Sequence, residues 1–302
     1  MRTVVALYDN FSSANAAVRE LVDRGFHRDD ISLMASDVEN KYSPYLENRS
    51  ITPATADATG AGAGIGAIIG GLGGLLVGLG ALAIPGIGPV IAAGPLATAL
   101  SGLVGAGVGA VAGGVTGGLI GALVDLGIPE QQAGYYAEGV RRGGTLVVVQ
   151  TNDDMADEAR NILDRHYPVD VNERVGRWQE SGWSSYNPEP ETYTANEINN
   201  ERRRYYTDEY DFEPEFADYD EDFRNHYETT YYNRGYGYDY YLPAYYYGYS
   251  LASDENLAGR SWEDIEPEAR TEWEQDQDNE GTWDEVKDAV HHAWQEAKDT
   301  FD

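Results

Sequence analysis

The chain has no cysteine, so disulfides, thiolate metal sites and thiol chemistry are excluded, and the redox character of its compartment stays open. Basic residues are scarce: 21 Lys and Arg stand against 52 Asp and Glu, giving a net charge of −31. The deficit is uneven. Residues 1–177 hold 12 bases and 19 acids, net −7, whereas residues 178–302 hold 9 and 33, net −24. A tail this acidic repels phosphate, which argues against nucleic acid as a partner, and it offers anionic lipid no polybasic grip. The opening residues, MRTVVALYDNF, lack the uninterrupted apolar run of about 7–15 residues that a secretory leader needs, because Asp9 breaks it. The N-terminal segment is therefore expected to stay cytoplasmic.

Charge of either sign is missing between Asp57 and Asp125, a gap of 67 positions that contains 22 glycines. Pro85, Pro89 and Pro95 divide the gap into 59–84 and 96–124, runs of 26 and 29 uncharged residues. Each exceeds the roughly 20 residues a helix needs to cross hydrocarbon. Gly62, Gly66, Gly70, Gly74 and Gly78 form a four-residue ladder in the first run, and Gly105, Gly109, Gly113, Gly117 and Gly121 another in the second. Small residues at that interval let helix backbones approach closely, which is how helices associate in lipid. In water each glycine costs a helix about 1 kcal/mol relative to Ala. In lipid an unpaired amide costs several kcal/mol, and helix is the local escape. The expectation is a membrane-inserting, self-associating helical hairpin, with burial in a soluble oligomer as the alternative. Lys41 and Arg49 before it and Arg141 and Arg142 after it favour cytoplasmic flanks. No ionisable group lies inside to mark a transport path, so anchoring fits better than conduction.

The flanks read as a folded domain. TVVALY (3–8) and ISLMA (31–35) have the composition of buried strands. Between them, Ser12 or Ser13 can cap a helix with Ala14, Ala17, Val18, Leu21 and Val22 on one face, ending at Gly25. Beyond the uncharged stretch, Pro129 suits the first turn of a helix closed by Gly143-Gly144. TLVVVQ (145–150) is a further strand, Asn152 or Asp153 caps a helix, and 169–175 reads as a last strand. The fold class expected is α+β: a small two-layer, ferredoxin-like α/β sandwich made of 1–57 and 126–177, interrupted at 58–125 by the glycine-rich helical hairpin.

Aliphatic residues are what 178–260 lacks, although 17 of the 23 tyrosines fall within 179–250. Counting Leu, Ile and Val alone, this segment cannot bury enough surface to offset its entropy, so an acidic, tyrosine-rich disordered linker is expected. Residues 261–302 then repeat a pattern, Ser261-Trp262 and Thr282-Trp283, with Trp273 and Trp294 each 11 positions after the first tryptophan of its copy. Hydroxyl residues three before Asp264 and Glu285 are capping boxes, predicting a helical hairpin in which Trp262, Trp273, Trp283 and Trp294 pack or dock.

Catalytic chemistry is not indicated. His27, His166, His226, His291 and His292 make no HExxH and stand beside no nucleophile motif. Asp288, His292 and Glu296 share a helix face and could hold a metal, but a solvated face is the reading taken. Asp276, Asp278, Glu280, Gly281 and Asp284 imitate a calcium loop, yet Lys287 stands where the bidentate Glu belongs, so a helix–helix turn is preferred. The GxG repeats follow no strand and are no dinucleotide fingerprint.

The segment TVVALYDNFSSANAAVRELVDRGFHRDDISLMAS, followed after the insertion by GIPEQQAGYYAEGVRRGGTLVVVQT, resembles the bacterial general stress protein 17M-like family over roughly residues 1–175. The resemblance implies a small α/β domain in a stress-induced, non-enzymatic protein, with no catalytic residue or cofactor to carry over. The expected setting is the inner membrane with cytoplasmic domains, or else the cytoplasm. The alternative function is a soluble ligand-binding or regulatory module.

Overall fold

The run TVVALY does pair as a strand, and its partners fix the N-terminal architecture. In the computed structural model, which describes residues 1–38, 42, 80–104, 118–189, 191–209, 212–231, 234–254, 256–276, 279 and 281–301, the chain divides into two units, Met1–Glu201 and Arg202–Asp302.

In the first unit, β1 (Arg2–Tyr8) leads to α1 (Phe11–Asp23). Asn10 caps α1, its side chain accepting from Ser13 N at 2.8 Å, which shifts the expected cap two or three residues upstream. β2 (Ile31–Ser36) follows, and β5 (Thr145–Thr151) inserts between β1 and β2, antiparallel to both. The register sets Leu7 opposite Leu146 and Met34 opposite Leu146, so one face of all three strands is apolar in phase.

β1 and β2 thus flank β5, but the fourth strand expected at 169–175 does not form. Val169 donates one backbone bond to the Leu7 carbonyl, 2.8 Å. Asp170 then accepts from Asn172 N and Glu173 N at 2.9 and 3.1 Å and starts α6 (Val171–Glu180). The Asp cap overrides the β propensity of Val169, Val171 and Val175. The sheet grows on its other side instead. β3 (Gly80–Ile84) and β4 (Gly88–Ala93) form a hairpin, β4 pairs with β2, and the order is β1-β5-β2-β4-β3, every pair antiparallel.

These two strands correct the reading of the uncharged stretch. Residues 80–84 are not the end of a helical span; Pro85 and Gly86 break helix and make a turn, while Val90 and Ile91 suit a buried strand. Nor are residues 96–124 one rod. α2 (Gly94–Val104) lies against β2, with Leu96 N bonded to Ser32 Oγ at 3.1 Å. A separate α3 (Leu119–Asp125) starts after Gly118, whose φ of +86° no helix accommodates. Of the ladder, Gly121 lies in α3; Gly62, Gly66, Gly70, Gly74, Gly78, Gly105, Gly109, Gly113 and Gly117 lie outside the described residues. Among the described residues no helix is long and apolar enough to cross a membrane.

The expected two layers are three. Leu7, Met34, Val90, Leu146 and Val148 meet Leu96, Leu100, Leu119, Leu123, Ala137 and Val140 from α2, α3 and α4 (Glu130–Arg141). On the opposite face lie α1 and α5 (Ala156–Asp164), and the Tyr8 hydroxyl donates to the Leu163 carbonyl at 3.0 Å.

α7 (Ala195–Glu209) crosses the division between the units. The second unit then has a 3₁₀ turn (Pro214–Tyr219), α8 (Asp220–Thr230), α9 (Tyr238–Ser253), α10 (Trp262–Gln275) and α11 (Trp283–Phe301). The disorder expected over 178–260 is therefore corrected: the tyrosine run is a helix. Tyr238, Tyr241, Tyr245 and Tyr249, spaced three, four and four apart, are all buried, and Phe223 and Tyr227 on α8 complete the stripe. An apolar count limited to Leu, Ile and Val misses rings that bury about 150–250 Å² apiece. The Tyr227 hydroxyl donates to the Tyr236 carbonyl at 2.7 Å, and that of the neighbouring buried Tyr231 accepts from Ala289 N at 2.8 Å.

The C-terminal helices form as expected, and α11 packs closely on α9. A Cβ at Gly248 would overlap the Val290 carbonyl oxygen and lie 2.9 Å from Ala293 Cβ, so only glycine admits this approach. Trp262 stacks on His291 at 4.5 Å and faces Trp283 and Trp294 at 6.4 and 5.5 Å. Trp273 instead leans on Tyr247, and its indole N–H donates to the Gly281 carbonyl at 3.1 Å.

Candidate functional site

The second unit gathers histidine and carboxylate where α8 and α11 meet. Asp222 and His226 are one turn apart on α8, as are His292 and Glu296 on α11, so each pair shares a face. Packing of Phe223 and Tyr227 below α8 and of Val290 and Ala293 below α11 turns those faces toward one another. The rings of His226 and His292 stack 4.0 Å apart and 6° from parallel. His292 Nε2 is 2.6 Å from Asp222 Oδ2, and His226 Nδ1 is 2.8 Å from the Tyr245 hydroxyl. One ligand atom each from Asp222, His292 and Glu296 lies within 4.8 Å of the others.

Electrostatics divide the two rings' surroundings. Burial, then the neighbouring His292, pushes His226 down to about 4, so its ring is neutral at pH 7. Burial pushes the Tyr245 hydroxyl well above its ordinary value, which keeps it a protonated partner for that ring. The Asp222 side chain is 48% exposed and that of His292 22%. The cluster therefore opens to water on the carboxylate side and closes on tyrosine behind.

A second charged cluster lies in the first unit and is structural. Glu138 on α4 is wholly buried and accepts from Arg142 Nε at 2.7 Å, and Arg142 also pairs with Glu201. Arg141 bonds the Glu191 carbonyl at 3.1 Å and lies 5.0 Å over the Tyr193 ring, and Arg142 lies 4.9 Å over Trp178. Burial works against the Arg142 charge, but Glu138 and Glu201 hold its pKa above the ordinary value. Arg141 and Arg142 thus face carboxylates and rings.

The sequence placed His292 and Glu296 together correctly, but their third partner is Asp222 rather than Asp288. Seventy residues separate Asp222 from His292, and no local pattern signals that pairing. The four tryptophans pack as described, three together and Trp273 apart. The calcium-like loop falls partly outside the described residues; within it, Asn279 and Gly281 bond to Trp273, as a helix–helix turn would. His166 bonds Glu20 at 2.9 Å beneath Arg165, an interior pair. No protein-family model, curated protein or solved structure matches the chain.

Proposed function

We propose that the chain is a non-enzymatic stress-response protein, of the general stress protein 17M-like kind, that acts by association through its glycine-rich segments. The observation that carries this reading is that the strands flanking the 39–79 stretch, β2 before it and β3 after it, lie in one sheet with β4 between them. The stretch is therefore held at both ends by the same sheet. Its uncharged part, 58–79, has 22 residues, about half of what two crossings need. The glycine ladder is then a surface for a second copy or for shallow, re-entrant contact with the cytoplasmic face of the inner membrane, and the transmembrane hairpin gives way to that narrower role.

The test compares the full chain with one in which 58–79 is replaced by a hydrophilic linker. Light scattering is expected to show an oligomer that the replacement reduces to monomer, and alkaline carbonate is expected to strip the full chain from membranes. A full chain that resists carbonate, or a replacement that leaves the oligomer intact, overturns the proposal.

The alternative, a ligand-binding module, has one observation in its favour. A groove bordered by Thr3, Val5, Gly127, Gln132, Tyr136 and Arg160 lies between β1, the α3–α4 turn and α5. Arg160→Ala in a thermal-shift screen of small anionic metabolites would remove any stabilisation arising there.

A further inference from the structure

We propose that Asp222, His292 and Glu296 form a binding site for a divalent transition metal on the α8–α11 face of the second unit. Three different side chains from two helices bring one imidazole nitrogen and two carboxylate oxygens within 4.8 Å of one another. Asp222 Oδ2 and His292 Nε2 already touch at 2.6 Å. An ion with bonds of about 2.0–2.2 Å holds tetrahedral ligand atoms about 3.4 Å apart, which turning of the Asp222 and Glu296 side chains supplies. Entry of the ion replaces the hydrogen bond between Asp222 and His292 with two metal bonds, and any proton held there leaves for water.

Several features distinguish this cluster from the many acidic positions of a −24 tail. It includes a nitrogen donor, and mixed imidazole and carboxylate ligands suit Zn(II), Co(II) or Mn(II) rather than Ca(II) or Mg(II). Two like charges converge in one place, an arrangement that positive charge between them relieves. The His292 ring is also fixed in orientation by its stack on His226, which limits what ligation costs in side-chain entropy. The half-exposed Asp222 leaves room for water to complete the coordination shell.

Full-length protein, stripped with EDTA and dialysed, would be titrated with Zn(II) by calorimetry and with Co(II) by visible absorption. One saturable site is expected above any weak, many-site background, with Co(II) bands displaced by Zn(II). Asp222→Asn and Glu296→Gln are each expected to weaken that site about tenfold or more, and both sit on accessible helix faces where the fold tolerates them. Asp288→Asn, outside the cluster, is expected to leave it unchanged. Loss of the site in Asp288→Asn with retention in Glu296→Gln would overturn the assignment. So would finding only the weak background, or affinities within about twofold of the parent in both ligand variants.

Discussion

The imidazole of His226 lies face to face with that of His292, 4.0 Å away, while its Nδ1 is 2.8 Å from the buried Tyr245 hydroxyl. Burial and the second ring hold His226 at about 4, against about 6.5 for an unfolded chain. Between those values the unfolded chain takes up a proton that the folded unit refuses. Stability therefore falls as pH drops from about 6.5 toward 4, and this group adds nothing to the slope outside that window. His226→Gln keeps a hydrogen-bonding group near Tyr245 and removes the titration. Urea melts at pH 7 and pH 5, followed by near-ultraviolet circular dichroism, are expected to show a loss about 1 kcal/mol smaller in the variant, the full effect being reduced by solvent screening of a partly exposed ring. Equal losses in both proteins would refute it.

Gly248 tests whether α9 and α11 form one tyrosine-lined core. Alanine there has no room beside the Val290 carbonyl and Ala293, so the helices must separate. The cost expected for overpacking is about 1–3 kcal/mol, seen as a lower urea midpoint. Gly259→Ala is not a fair control, because its φ of +72° strains any side chain; Gly176→Ala, helical and open, is, and is expected to be neutral or stabilising.

Local signals in the sequence located β1, β2, β5, α1 and the C-terminal helices, because period, caps and β-branched runs act over a few residues. Thr282 and Glu285 make the capping box the spacing implied, the Glu285 carboxylate accepting from both Thr282 N and its hydroxyl at 2.8 Å. What stayed hidden depended on partners distant in the chain. β3 and β4 are glycine- and alanine-rich and become strands through the edge that β2 offers. The tyrosine stripe of α9 was in plain view at helical spacing, but an aliphatic scale reads it as polar. Val169–Val175 has strand-like side chains, yet Asp170 satisfies the first amides of a helix and decides the outcome.

Glu138 separates structural from surface charge. It is wholly buried between Arg141 and Arg142, with its stronger bond to Arg142 Nε at 2.7 Å. Glu138→Gln removes the buried carboxylate that both guanidinium groups share and leaves Arg142 with Glu201, for which a destabilisation of about 3–5 kcal/mol is expected. The exposed pair of Arg270 and Glu274, though also at good distance, 2.9 Å, is expected to contribute less than about 0.5 kcal/mol when Arg270 becomes alanine. Comparable losses in the two variants would mean that burial is not what gives the Glu138 cluster its weight.

Asp170 is the point at which the sheet stops growing past β1. Its carboxylate satisfies two otherwise orphaned amides of α6, and α6 in turn delivers Arg174, whose guanidinium bonds both Asp9 oxygens at 2.7 and 2.8 Å. Asp170→Ala removes the cap and is expected to cost about 1 kcal/mol. Asp170→Asn, which can still accept, is expected to recover most of it. The more searching readout is amide hydrogen exchange. Without the cap, protection should fall first at Asn172 and Glu173, whose N–H groups lose their acceptor, while Val148 and Val149 in the centre of β5 keep theirs. If β5 loosens together with α6, the cap supports the whole sheet, and the turn at Asp170 is then as much a part of the core as the strands it follows.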